Sequence, residues 1–320
     1  MNNDGGGPAS VTEDGGGIVV GGDAAVAGGD AAVALLDGGG GTLSSLYFGV
    51  VGDTRPELPN DTAGYPTAIV STIFTDIQNL ADRPPFVIGT GDYQSSILTT
   101  ALGNTAAAQL DLYLTARNLY SGAWYPAMGN HECTPFANSN CIAGSADLAG
   151  SDTYPAYQAK ILQPAGRTTP YYTVNINAPD RSWTSKFVFV AANAWDATQN
   201  AWFATAMSEP TTYTFVIRHE EAAAATPPPG VAASEAIMAT IPYTLAIVGH
   251  EHTYERTGTR ELLVGNGGAP LDDAVFYGYA LLRRRASDGA ITVDMYDKDT
   301  NLPDTSFHFA LNADGTAAPP

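Results

Sequence analysis

An apolar run, Leu245-Ala246-Ile247-Val248, stops abruptly at Gly249-His250-Glu251-His252. Side chains two apart on extended backbone share a face. His250 and His252 can therefore present two imidazoles to neighbouring ions, or to one ion and one anion. Four other apolar runs end on a polar residue able to bind a metal: Asp53 after Tyr47–Val51, Asp92 after Phe86-Val87-Ile88, Asn130 after 124–128 and His219 after Tyr213–Ile217. Of the five histidines, His131, His219, His250 and His252 fall at these strand ends; His308 is left over and reads as structural. Carboxylate, amide and neutral imidazole ligands together suit borderline ions, Zn, Mn or Fe, better than soft copper. A carboxylate bridging two cations about 3.5–4 Å apart would clamp the attacking and leaving oxygens of a phosphoryl displacement.

Residues so far apart in sequence meet only if the elements carrying them end at one rim. From residue 46 onward strand and helix signals alternate, which predicts an α/β chain with ligands gathered at strand carboxyl ends. Ile69, Ile73, Ile77 and Leu80 recur at helical spacing and predict an amphipathic helix over 65–81. Further helices are expected over 105–119, from a cap at Asp196 through Met207, and over 231–240. Strands over 171–176 and 186–190 form a hairpin with a long connection, and 261–264, 275–282, 291–296 and 305–309 add β structure. Residues 133–163 read as a long loop containing one short helix.

Composition narrows the function classes. With 33 acidic against 14 basic residues, a formal charge of −19, the chain lacks the cationic surface needed to hold duplex DNA or RNA. No apolar run is long enough for a transmembrane segment. Residues 1–44 are rich in Gly, Ala and Asp, repeat Gly-Gly-Asp-Ala-Ala-Val-Ala at 21–27 and 28–34, and precede the first basic residue, Arg55. Ordering such a stretch loses more backbone entropy than its few valines recover. The expectation is a flexible tether over 1–44 and a single catalytic domain over 45–320. Cys133 and Cys141 either close a small disulfide loop or bind metal, although two thiols are too few for a structural zinc site. A disulfide implies an oxidising compartment and hence an extracytoplasmic location, periplasmic, secreted or surface-tethered; no export signal is visible in this chain, so the expectation is either that one was removed or that the chain is cytoplasmic.

The ordered set Gly52-Asp53, Gly91-Asp92, Gly129-Asn130-His131-Glu132, His219 and Gly249-His250-Glu251-His252 resembles the calcineurin-like metallophosphoesterase superfamily over residues 46–256. The following Tyr254-Glu255-Arg256 is similar to the purple acid phosphatase branch. The resemblance implies a four-layer αββα sandwich, two mixed β-sheets flanked by helices, holding two metal ions at the strand carboxyl ends. It implies that Asp92 bridges the ions, with Asp53 and His252 on the first and Asn130, His219 and His250 on the second. His131 would stabilise the phosphate or protonate the leaving group, and Glu132 would orient its ring.

The first motif departs from that pattern. Many members carry a histidine where this chain has Arg55, and the purple branch compensates with a tyrosine where this chain has Ser95. The first metal is thus short of one protein ligand, and Arg55 either grips a phosphate oxygen or forms an ordinary salt bridge. The function implied is metal-dependent hydrolysis of a small phosphorylated substrate, a phosphomonoester, by metal-bound hydroxide. A phosphodiesterase or nucleotidase is the alternative within the class; a noncatalytic tethered binding or assembly protein on the same fold is the alternative outside it.

Overall fold

Period-two alternation decides which layer each side chain joins. In the strand Tyr47–Val51, Phe48 and Val50 point one way and Tyr47 and Val51 the other, and all four are buried. Burial on both faces requires a covering layer on each side of the sheet. The structure, a computed structural model, describes residues 40–97, 105–134, 136–148 and 152–320. The repeat at 21–34 and most of the expected tether lie outside these residues.

Among the described residues the strands are β1 (Gly40–Thr42), β2 (Tyr47–Val51), β3 (Phe86–Gly89), β4 (Ala123–Pro126), β5 (Tyr172–Asn177), β6 (Thr184–Phe189) and β7 (Tyr213–Ile217). They continue as β8 (Leu245–Val248), β9 (Tyr254–Thr257), β10 (Glu261–Val264), β11 (Gly278–Arg284), β12 (Ile291–Asp297), β13 (Leu302–Leu311) and β14 (Ala317–Ala318). The α-helices are α1 (Thr67–Asn79), α2 (Ala106–Arg117), α3 (Asn130–Cys133), α4 (Thr153–Tyr157), α5 (Ala197–Ser208) and α6 (Pro229–Met238). One seven-stranded sheet runs β14-β13-β12-β11-β2-β3-β4 and the other β1-β5-β6-β7-β8-β10-β9. In the first, β2, β3 and β4 are parallel; in the second, β6, β7, β8 and β10 are parallel.

The sheets pack face to face through one apolar cluster that includes Phe48 and Phe86 of one sheet and Phe187 and Phe215 of the other. These rings touch in stacked and edge-on pairs about the sheet interface, with centroids 4.8–5.3 Å apart. On the outer face of the first sheet, Val51, Val87 and Leu281 meet Val70, Ile73, Phe74 and Ile77 of α1 and Leu110 and Tyr113 of α2. On the outer face of the second, Val188, Val216 and Ala246 meet Phe203 and Met207 of α5 and Met238 of α6. The result is the four-layer αββα sandwich that the resemblance implies.

Lys186 of β6 interrupts that apolar outer face, and its environment explains why. Its buried ammonium donates to the carbonyls of Ala206 (2.6 Å), Met207 (2.9 Å) and Glu209, which have lost their helical partners at the end of α5. Changing Lys186 to methionine keeps the stem and strands these acceptors, so we expect a loss of about 2–4 kcal/mol in a urea denaturation. A loss under about 0.5 kcal/mol would show that the ammonium does not cap the helix in solution.

Three details differ from expectation, and a fourth decides between two alternatives that the sequence leaves open. Gly40–Thr42, inside the expected tether of 1–44, pairs in parallel with Asn175–Asn177, so the folded body reaches back into that stretch. The region 133–163 holds more helix than one short piece, because α4 runs on as a π turn, Gln158–Leu162. The strand expected from 275 begins instead at Gly278, after the exposed Val275. Cys133 and Cys141 form a disulfide, which leaves neither thiol for metal.

Candidate metal centre

Each candidate residue sits just past a strand that runs to the same end of the sandwich: Asp53 after β2, Asp92 after β3, Asn130 after β4, His219 after β7, and His250 and His252 after β8. The loops of the two sheets are tied together there. The His250 backbone N–H donates to the Asp53 carboxylate (3.1 Å), and the His219 ring nitrogen Nδ1 lies 3.0 Å from the Thr90 carbonyl. Asp53, Asp92 and His250 all adopt left-handed backbone, with φ of 56°, 57° and 80°. That conformation costs an L-residue roughly 1–2 kcal/mol, and it persists because the surrounding contacts fix it. Gly91, at φ 115°, has no Cβ for a further reason. A Cβ there would lie 2.7 Å from the Gly129 nitrogen and 2.8 Å from His219 Nδ1, forcing apart the loops that carry Asn130 and His219.

Asp92, His219 and His250 each direct one ligand-type atom into a common space, the three atoms lying within 4.8 Å of one another. The Asn130 amide oxygen joins them, 3.1 Å from His250 Nδ1. With Nδ1 directed at the Thr90 carbonyl, the neutral form of the His219 ring, the form that could bind a cation, would have its lone pair on Nε2. Buried, it sits 3.2 Å from Asp92 Oδ1 without hydrogen-bond geometry. Two imidazole nitrogens, a carboxylate and an amide oxygen aimed at one point, one of them otherwise unpartnered, fit a borderline divalent cation. Asp53 flanks this group, its Oδ1 3.9 Å from His219 Nε2.

The electrostatics divide the groups. Burial would raise the Asp92 carboxyl, yet His219, His131 and Arg55 around it hold it well below the usual carboxylate range. Burial instead pushes Asp53 well above that range, with the Asp92 charge adding to the effect. Burial would lower His219, but Asp92 and Asp53 outweigh it and raise that imidazole well above its ordinary value. Burial takes His250 down to about 4 and His131 to about 3, so both rings are neutral at neutral pH and keep a lone pair.

Glu132 does not orient the His131 ring. Its carboxylate accepts three backbone N–H bonds, from Asp92 (2.8 Å), Gly129 (2.8 Å) and Tyr93 (2.9 Å), and so locks the Asp92 loop to the Asn130 loop. Burial and the neighbouring Asp92 charge push it up to about 7, while these donors act in the opposite direction. His131 is placed through its backbone: its N–H donates to Asp92 Oδ1 (3.0 Å) and its carbonyl accepts from Gln94. Its ring leaves Nδ1 without a hydrogen-bond partner among the described residues and Nε2 3.8 Å from Asp92 Oδ2.

The first of the two expected ion positions is filled differently. Arg55 lies with Nη2 3.1 Å from His252 Nε2 and Nε 3.5 Å from Asp92 Oδ2. His252 in turn has Nδ1 2.8 Å from the Pro270 carbonyl, and its backbone N–H donates to Asp272 (3.1 Å). A guanidinium between Asp92 and His252 does not fit a second cation in the same place. Pro270, Asp272 and Thr90 stand outside the residue pattern that the sequence offers for this site. The available signal was the Gly265-Asn266-Gly267-Gly268 run after the apolar end of β10, a loop pattern like those of the other strand ends. The Tyr254-Glu255-Arg256 stretch lies in β9, where Tyr254 donates to Asp304 (3.0 Å) and the Arg256 guanidinium stacks 4.3 Å from the Phe309 ring centroid.

No family model and no curated protein matches the sequence. Among solved structures the chain is similar to a dimetal phosphatase from Danio rerio, at 12% identity, covering 83% of this chain and 98% of that one, with a TM-score of 0.53. It also matches a conserved uncharacterized protein, a predicted phosphoesterase, from Streptococcus pneumoniae (11% identity, 84% and 99% covered, TM-score 0.37). A third match is zinc-complexed Vps29 from Entamoeba histolytica (12%, 83% and 99%, TM-score 0.35). At such identities the likeness to the fish phosphatase is one of fold, and the fold is the metallophosphoesterase sandwich, here with a buried Asp/His cluster.

Proposed function

We propose that the chain is a metal-dependent hydrolase acting on phosphate esters, with a small phosphomonoester as its substrate. The observation that carries this reading is the convergence of Asp92, His219, His250 and Asn130 on one position at the strand ends of a metallophosphoesterase sandwich. A bound Zn, Mn or Fe ion would supply Lewis acidity, making a water ligand nucleophilic at neutral pH and offsetting phosphoryl charge.

The remaining residues would supply orientation and protons. The His131 ring, neutral and with an unpartnered nitrogen, would hydrogen-bond the phosphate or the leaving oxygen. Arg55 offers N–H groups to a phosphoryl oxygen at the same opening. A second ion, held by Asp53 and His252 with Asp92 shared, would require the Arg55 guanidinium to leave its place between Asp92 and His252. The Cys133–Cys141 disulfide supports an extracytoplasmic setting.

The test is to strip the protein with chelator, reload it with Zn²⁺ or Mn²⁺, and assay an aryl phosphate against a bis-aryl phosphate alongside metal content. We expect metal-dependent cleavage, faster on the monoester. Preference for the diester would move the substrate class. Bound metal with neither ester cleaved would favour a noncatalytic binding protein on the same fold, and no bound metal would remove the reading.

A further inference from the structure

The contact between Arg55 and His252 fixes more than a salt bridge does. A guanidinium carries only N–H donors and no acceptor, so in the 3.1 Å contact the Arg55 N–H donates and His252 Nε2 accepts. The imidazole proton is then on Nδ1, 2.8 Å from the Pro270 carbonyl that accepts it. The lone pair that would hold an ion is therefore the one that Arg55 uses. On its other side the same guanidinium lies against Asp92 Oδ2, the oxygen turned away from His219, while Nη1 donates to the Pro56 carbonyl (3.1 Å) and holds the group in place. The neighbouring Asp53 carboxylate is buried and already accepts the His250 N–H.

We propose that this chain binds a single metal ion, at Asp92, Asn130, His219 and His250, and that the Arg55 guanidinium stands permanently where the second ion of the pair would sit. His252 is then a positioning residue, a hydrogen-bond acceptor that aims Arg55, and not a metal ligand. The substitution has a chemical logic. A guanidinium supplies a positive charge beside the Asp92 carboxylate and up to two parallel N–H bonds for phosphoryl oxygens, but it cannot make a water ligand acidic. One position would activate water and the other would only grip the substrate. The proposal rests on the metal-binding reading above.

The experiment separates the two. Chelator-stripped protein is titrated with Zn²⁺ by calorimetry and its bound metal counted after dialysis, for wild type, Arg55→His and Arg55→Gln; inorganic phosphate is then titrated into each metal-loaded protein. Expected are one tightly held ion in wild type, two in Arg55→His, where an imidazole replaces the guanidinium, and one in Arg55→Gln with phosphate bound roughly ten-fold more weakly. Two tight ions in wild type, or a single ion in Arg55→His, overturns the proposal while leaving metal binding intact. No bound ion in any variant overturns the metal reading itself. Unchanged phosphate affinity in Arg55→Gln overturns the gripping role.

Discussion

Replacing Asp92 with asparagine is expected to reduce turnover of an aryl phosphate by roughly a thousand-fold or more, about 4 kcal/mol of transition-state stabilisation, and to lower retained metal. Asparagine is the informative replacement because it keeps the volume and tolerates the φ of 57° that alanine would resist. What it loses is the charge, which the surroundings hold strongly in the ionised form. That charge faces His219 at 3.2 Å, Arg55 at 3.5 Å and His131 at 3.8 Å, so these three groups share it. A far-ultraviolet dichroism spectrum like the wild type's, together with loss of metal and activity, is the expected pattern. Turnover within a few-fold of wild type would remove Asp92 from the chemistry.

The second large effect is on stability. Changing Glu132 to alanine withdraws the acceptor from three buried N–H groups at once, those of Asp92, Tyr93 and Gly129. Each unsatisfied buried donor costs about 1–3 kcal/mol, so a total of about 3–9 kcal/mol is expected, a large part of a typical domain's margin of about 5–15 kcal/mol. Glutamine should recover part of it, since one oxygen still accepts while the amide's own N–H groups confront the remaining donor. Urea midpoints for the two variants, read beside wild type, give the order wild type, glutamine, alanine. If the alanine variant unfolds within about 1 kcal/mol of wild type, the two loops are not held together by this carboxylate.

Much of the layering was legible because the central strands are short apolar runs bounded by glycine or proline. Tyr47–Val51, Tyr213–Ile217 and Leu245–Val248 stand out from their neighbours, and Asp196 does cap α5 by accepting the Gln199 N–H at 2.7 Å. Gly40–Thr42 gave no sign of itself, since Gly-Gly-Thr has no side-chain pattern and is a strand only by virtue of its pairing with β5. Likewise β9 was hidden under a motif reading, although its side chains serve the strand packing.

At the candidate site, residue types and their order are legible, because a metal-binding pattern would constrain both. Contacts between side chains are not. Arg55 and His252 are 197 positions apart, and no local rule joins them. Glu132 was assigned by adjacency to His131, but on this short helix its carboxylate turns back to the backbone N–H groups of Gly129, Asp92 and Tyr93. Backbone carbonyls such as those of Thr90 and Pro270 carry no residue signature at all.

The left-handed backbone at Asp53, Asp92 and His250 sets folding and chemistry at odds. Glycine would adopt those angles without penalty, so a lineage screened for robustness alone would drift toward it at all three places. Glycine at any one of the three should therefore relieve backbone strain and, in the same step, remove a side chain from the cluster at the strand ends.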